Sequence, residues 1–280
     1  MSTEYTLCAL KIGAVVIGQI TDQEVSVAVE EFLAADSGAI YSLDAAVNAE
    51  DYRIRATTQQ VKTALGIFGA GMTVIELTAQ APAILYFHQF ANKGTRTAAA
   101  CIAYKVELGF AVVQSVRGKA GPPPLNLADM DIEIFAVSDG TNCPLTLLTA
   151  QAIPTFTTAE MYVGSGTGIK EWQIDVGNQI HMSGDGGLAW HTLCVLRRQQ
   201  PQIRVLKSTP GELGSAATEI GAVTLLDVPS GGIRGETPIT FTFNQKQTTA
   251  RRVGGDPADY ELVITPTYDG TNTPIIVTGI

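Results

Sequence analysis

The string "SDGTNCPLTL" (Ser138 to Leu147) returns near the end of the chain as "YDGTNTPIIV" (Tyr268 to Val277). A four-residue identity alone is within the reach of chance in a chain of 280 residues, so its weight depends on what surrounds it. At the same offset "DMDIEIFAV" (Asp129 to Val137) lies over "DYELVITPT" (Asp259 to Thr267), each an alternating apolar run entering the DGTN turn. A second block aligns independently, with "ITDQEVSV" (Ile20 to Val27) over "IKEWQIDV" (Ile169 to Val176). The same spacing sets Asp36 on Asp185, Gly38 on Gly187, Ile54 on Ile203 and Arg55 on Arg204. Two collinear blocks in one order predict a tandem duplication, with a first unit over 1–152 and a second over 153–280. The stretch "GKAGPPPLNL" (Gly118 to Leu127) belongs to the first unit alone, and a loop is where such extra length is absorbed.

Units of this size can each bury a core without covalent staples. Cys8, Cys101, Cys143 and Cys194 form no C-x-x-C pair and occupy no matched positions, which predicts buried free thiols in a reducing compartment and no zinc site. Ahead of "YTLCALKIGAVVIGQI" there is no basic n-region, Lys11 interrupts the apolar run, and no stretch approaches a membrane span, so a soluble chain made in the cytoplasm is expected. The net charge of −9 argues against a surface built to grip nucleic acid. With only 16% charged residues, broad areas must be core or meet another subunit.

Strand patterns dominate. "EVSVAV" sets Val25, Val27 and Val29 on one face, and "WQIDV" does the same with Trp172, Ile174 and Val176. "YRIRAT", "QIRVLK", "AILYFHQF", "ACIAYKV", "GFAVVQSV", "TLLDV" and "ITFTFNQ" complete the set, punctuated by Gly, Pro and Asn in the manner of an antiparallel sandwich or barrel. One short helix is predicted after each Ile-Arg strand: "TTQQVKTALGIFG" in the first unit and "STPGELGSAATEIG" in the second. In the latter Thr209, Pro210 and Glu212 supply a capping box and a first-turn proline. The fold class expected is all-β, two tandem sandwich or barrel domains with one short helix each.

Candidate chemistry is sparse. Asp-Gly between alternating runs is a hairpin signal, so Asp139, Gly140, Thr141 and Asn142, and again Asp269, Gly270, Thr271 and Asn272, are expected to close a repeated hairpin. "VGSGTGIK" (Val163 to Lys170) lacks the spacing of a phosphate loop, and "GIFGAGMT" follows a helix instead of opening one. His181, Asp185 and His191 cluster in "HMSGDGGLAWH", but the aligned "FLAADSGAIYS" has Phe32 and Ser42 where the histidines stand. Catalysis and metal binding are therefore not expected there, and His88, in an apolar strand, is read as a core or interface residue. No catalytic residue, cofactor or metal ligand is assigned, and an enzyme is not expected.

The strand "PQIRVLKST" running into a short helix, the later strands rich in Thr and aromatics, and the terminal "ELVITPTYDGTNTPIIV" resemble the tail tube proteins of long-tailed bacteriophages, including forms whose tube domain is duplicated within one chain. The first unit departs from that pattern in having "YRIRATT" without the proline. The resemblance implies sandwich domains whose sheets join into β-lined rings, which stack into a hollow tube that passes DNA. Two domains per chain would then call for homotrimeric, pseudo-hexameric rings, with other tail proteins as partners and no membrane insertion. The protein would reside in the virion after assembly in the host bacterial cytoplasm. A negative lumen would let DNA slide without sticking, and by strand alternation Glu24, Glu133 and Asp175 point away from the core and are candidate lumen acids. Ring stacking is assigned to the connections Glu30 to Asp51 and Gln179 to Gln200. The competing readings are a distal tail or baseplate ring protein and a two-domain Ig-like binding module.

Overall fold

The computed structural model describes residues 4–34, 44–92, 95–120, 126–152, 154–155, 160–165, 168–184, 189–208, 220–227, 237–253 and 259–280. Up to residue 151 the elements are β1 (Glu4–Ile12), β2 (Val15–Ile17), β3 (Ile20–Ala34), β4 (Asp44–Thr58), α1 (Val61–Phe68), β5 (Ile75–Leu77), β6 (Ala83–Asn92), β7 (Thr95–Val106), β8 (Gly109–Lys119), β9 (Asp129–Ala136) and β10 (Leu145–Gln151). Then follow β11 (Tyr162–Ser165), β12 (Ile169–Asp175), β13 (Asn178–Ser183), β14 (Leu193–Gln199), β15 (Gln202–Lys207), β16 (Ala222–Asp227), β17 (Ile239–Phe243), β18 (Gln247–Val253), β19 (Asp259–Thr265) and β20 (Ile275–Thr278). The chain is all-β with antiparallel sheets, as the alternating runs predict.

One long sheet runs β18-β19-β15-β12-β8-β9-β4-β3, with β5 paired to the far end of β8. Its strand order is one quartet written twice: β3, β4, β9 and β8 in the first half, β12, β15, β19 and β18 in the second. The register repeats as well. Val25 lies opposite Ile54 and Ile54 opposite Ile134, just as Ile174 lies opposite Ile203 and Ile203 opposite Ile264. Two shorter sheets carry a second recurring order, β1-β6-β7-β10 (with β2 added beside β1) and β11-β16-β17-β20. The alternating side chains of long and short sheets meet in one apolar cluster that extends through both halves, from Leu10, Ile54, Leu85 and Ile132 to Trp172, Ile203, Phe241 and Leu262.

Within the long sheet the halves join at β8 and β12, where Gln173, Ile174 and Asp175 lie opposite Arg117, Val116 and Ser115. Glycine makes this seam possible. A Cβ on Gly118 would stand 2.5 Å from the ring of Trp172, and one on Gly164 would stand 2.6 Å from the Gly118 backbone. The space goes instead to Trp172, which is buried and lies 5.5 Å from Phe241.

Helix α1 sits where the sequence predicts a helix, after the Ile-Arg strand of the first half. Val61, Ala64, Leu65 and Phe68 recur at the i, i+3, i+4, i+7 spacing of one face, and all four are buried. Its first-turn N–H groups are satisfied from the other half. The Glu160 carboxylate accepts from Lys62 N at 2.8 Å and Thr63 N at 3.0 Å, while Glu160 N donates to Gln19 Oε1 at 2.7 Å. The second predicted helix falls on 209–219, outside the described residues.

Two expectations need correction. The DGTN turns are not hairpins: β9 pairs with β4 and β8 while β10 pairs with β7, so the turn at 137–144 carries the chain between sheets, and the turn between β19 and β20 does likewise. Asp-Gly chemistry fixes the local bend, but Asn142, Pro144, Asn272 and Pro274 lengthen the exit beyond what a tight two-residue hairpin allows. The segments Glu30 to Asp51 and Gln179 to Gln200 are not simple connections either. Their described parts are β-ribbons, the outer halves of β3 and β4 and the pair β13–β14, and residues 35–43 and 185–188 lie outside the described residues.

Candidate functional site

The long sheet has an apolar face toward the core and a polar face away from it. Register assigns its members. Glu24, Arg55 and Glu133 form one cross-strand row on β3, β4 and β9. Asp22, Thr57, Asp131, Ser115, Asp175 and Gln202 form the next, which crosses the seam from the first half into the second. The structure therefore brings the three candidate acids, Glu24, Glu133 and Asp175, onto one face of one sheet.

Their surroundings differ. The Glu24 side chain is 59% exposed and lies 3.9 Å from Arg55. The Glu133 side chain is only 5% exposed, and such a buried carboxylate needs donors on both oxygens. It has them: Oε1 accepts from Arg55 Nε at 3.0 Å and Arg53 Nη1 at 3.3 Å, and Gln114 Nε2 donates to Oε2. Arg53 is itself tied to Asp51 and lies 4.8 Å above the Phe135 ring. Asp175 Oδ1 accepts from Gln173 Nε2 at 2.5 Å.

Further rows follow the same rule. Asp131 accepts from Thr57 Oγ1 at 2.6 Å, Ser115 Oγ at 2.5 Å and Arg117 Nη2 at 2.7 Å. Arg117 also holds Asp129 at 2.9 Å, where burial pushes the carboxyl of Asp129 up against the opposing pull of the guanidinium. In the second half Arg251 pairs with Glu261 and Lys170 with Asp259. The face is thus a lattice of ion pairs with acids in excess, not the bare acidic surface that the three candidate residues by themselves imply. Sequence reading missed the arginines because their partners lie on other strands, and only the register reveals them.

The eight DGTN residues form two congruent turns. Asp139 Oδ1 accepts from Thr141 N at 2.8 Å and Asn142 N at 2.7 Å, and Oδ2 accepts from Asn142 Nδ2 at 2.8 Å. Asp269 makes the same three bonds to Thr271 and Asn272 and adds a fourth from Asn244 Nδ2 at 2.7 Å. Gly140 and Gly270 take φ of 88° and 94°, open to glycine without strain. Backbone N–H donation from Asn142 and Asn272 leads the causes that hold both carboxyls below the usual range. Each Asp carboxylate has both oxygens bonded, which is what a structural corner requires.

His181 lies on β13 opposite Val195, and the carbonyl of His191 accepts from Ser138 N at 2.7 Å. Asp185 lies outside the described residues. Among the described residues no group of three or more His, Cys, Asp or Glu stands close enough to hold a metal. His88 is buried on β6 between β1 and β7. The thiols depart from expectation: Cys101 is buried, but Cys143 is exposed, because the inter-sheet turn carries it to the surface. No helix of the described residues is long and apolar enough to cross a membrane. No family model matches the sequence, and no curated protein matches it.

Proposed function

We propose that this chain is a structural virion subunit of the tail tube type. Three copies close into a ring of six similar units, and rings stack into a hollow tube through which DNA passes. The observation that carries this reading is the seam. One sheet runs from the first half into the second through β8 and β12, and the same quartet of strands, in the same register, stands on either side. A unit that can add to a copy of itself within one chain has the geometry for adding further copies, and a head-to-tail contact whose rotation closes makes a ring. On this reading the halves 1–152 and 153–280 are two copies of one unit.

The polar face supports the same role. Four of its arginines, at 53, 55, 117 and 251, are held by carboxylates while Arg204 lies against Gln202, so a passing polyanion meets a surface on which carboxylates neutralise most of the guanidinium charge. With that face as the lumen wall, Glu24 and Asp175 line the channel, and Glu133 lies buried beneath them as the anchor of Arg53 and Arg55. Assembly in the host cytoplasm and contact with other tail proteins belong to the same proposal, as does the absence of catalysis, cofactor and membrane insertion.

Negative-stain microscopy of the purified protein tests it. Long tubes of uniform width are expected. Single rings that never stack would instead indicate a distal tail or baseplate component, and a stable monomer would indicate a binding module.

A further inference from the structure

Strands β3 and β18 end the long sheet, each with a ladder partner on one side only among the described residues. Exposed edges of this kind invite another strand and are normally blunted or covered. In the repeated quartet β3 holds the place that β12 holds in the second half, and β18 the place that β8 holds in the first. The two open edges are therefore the counterparts of the two edges already joined at the seam.

The charges of these edges are opposite. β3 reads "ITDQEVSVAVEEFLA", with exposed Asp22, Glu24, Glu30 and Glu31 and no Lys or Arg. β18 reads "QTTARRV", with exposed Arg251 and Arg252 and no Asp or Glu. The seam has the same polarity, since Glu171 on β12 lies opposite Lys119 on β8. Like edges repel and unlike edges attract, so the charge pattern selects head-to-tail joining over two β3 or two β18 edges meeting.

We infer that β3 of one chain pairs antiparallel with β18 of a second copy, in the register of the seam. Val25 corresponds to Ile174, because each lies opposite the isoleucine of an Ile-Arg pair. Arg252 corresponds to Val116, because they lie opposite Tyr260 and Met130, which align in sequence. Ile174 faces Val116 at the seam, so Val25 faces Arg252 of the next chain, Ser26 faces Arg251 and Glu24 faces Val253. Arg251 then stands diagonal to Glu24 on the polar face, within reach of a long side chain. This inference rests on the ring reading and adds to it the two strands, their register and the electrostatic rule that orders them.

The test uses full-length chains carrying Cys143→Ser. Asp22→Lys with Glu24→Lys turns the end of β3 that faces Arg251 and Arg252 basic, and Arg251→Glu with Arg252→Glu makes β18 acidic like β3. All four positions are exposed, so folding, followed by circular dichroism, is retained. Each double variant should lose assembly by about tenfold or more in sedimentation at moderate salt, while the fourfold charge-swapped chain should assemble again. As a register readout, Val25→Cys with Arg252→Cys should give an interchain disulfide, and Val25→Cys with Ala250→Cys should give much less. Normal assembly of the double variants, failure of the fourfold variant to recover, or crosslinking only in the shifted pair would overturn the inference while leaving the ring reading in place. An unmodified chain that stays monomeric would overturn both.

Discussion

At the residue scale the DGTN aspartates show how a short motif sets a local structure without naming its place in the fold. Asp139 and Asp269 accept the same backbone and side-chain bonds, and both carboxyls are held low. A folded-state pKa below the unfolded value, about 3.9 for Asp, contributes stability that is present above the unfolded pKa and lost as pH falls through the folded one. Asp139→Asn with Asp269→Asn should therefore flatten the fall of melting temperature between about pH 4 and pH 2. A slope equal to that of the parent protein would contradict this. The thiols give a second check. Burial pushes Cys194 up to about 12, whereas Cys143 is exposed. Alkylation at neutral pH should label Cys143 first, and Cys143→Ser should remove the fast phase. Asp-Gly chemistry made the turns legible in the sequence. The exposure of Cys143 was not legible, because it depends on which sheet receives the strand after the turn.

At the element scale the seam and helix α1 depend on contacts between the halves. Gly118→Ala would press a methyl group against the Trp172 ring, at a cost of about 1–3 kcal/mol, read as a lower urea midpoint. Glu160→Ala would leave the Lys62 and Thr63 N–H groups without their carboxylate, costing about 1 kcal/mol by the scale of helix caps. An unchanged midpoint in either variant would count against the packing described. The strands themselves were readable, since "YRIRAT", "QIRVLK" and "GFAVVQSV" all fall within observed strands on the strength of period-two alternation. Their partners were not, because a run of alternating residues specifies a face and not a neighbour. For the same reason Asp-Gly between alternating runs predicts a hairpin that the ladder does not form, and nothing local in the sequence marks Arg53, Arg55 and Arg117 as the residues that hold the acids.

At the scale of the whole molecule two blocks of sequence align, and the ladder places their aligned residues in matching pairs. The seam was invisible in the sequence, since β8 lies outside both aligned blocks and its pairing with β12 leaves no local pattern. It is also the basis of the central claim, that the chain continues with further copies the sheet it has already continued once within itself. Cryo-electron microscopy of the purified, assembled protein tests this most directly. The account predicts rings of three chains with pseudo-sixfold symmetry, an unbroken β-sheet around the channel, and density for β3 of each chain beside β18 of the next. Rings with a break in the sheet at that junction, or a protein found only as monomers at high concentration, would contradict it.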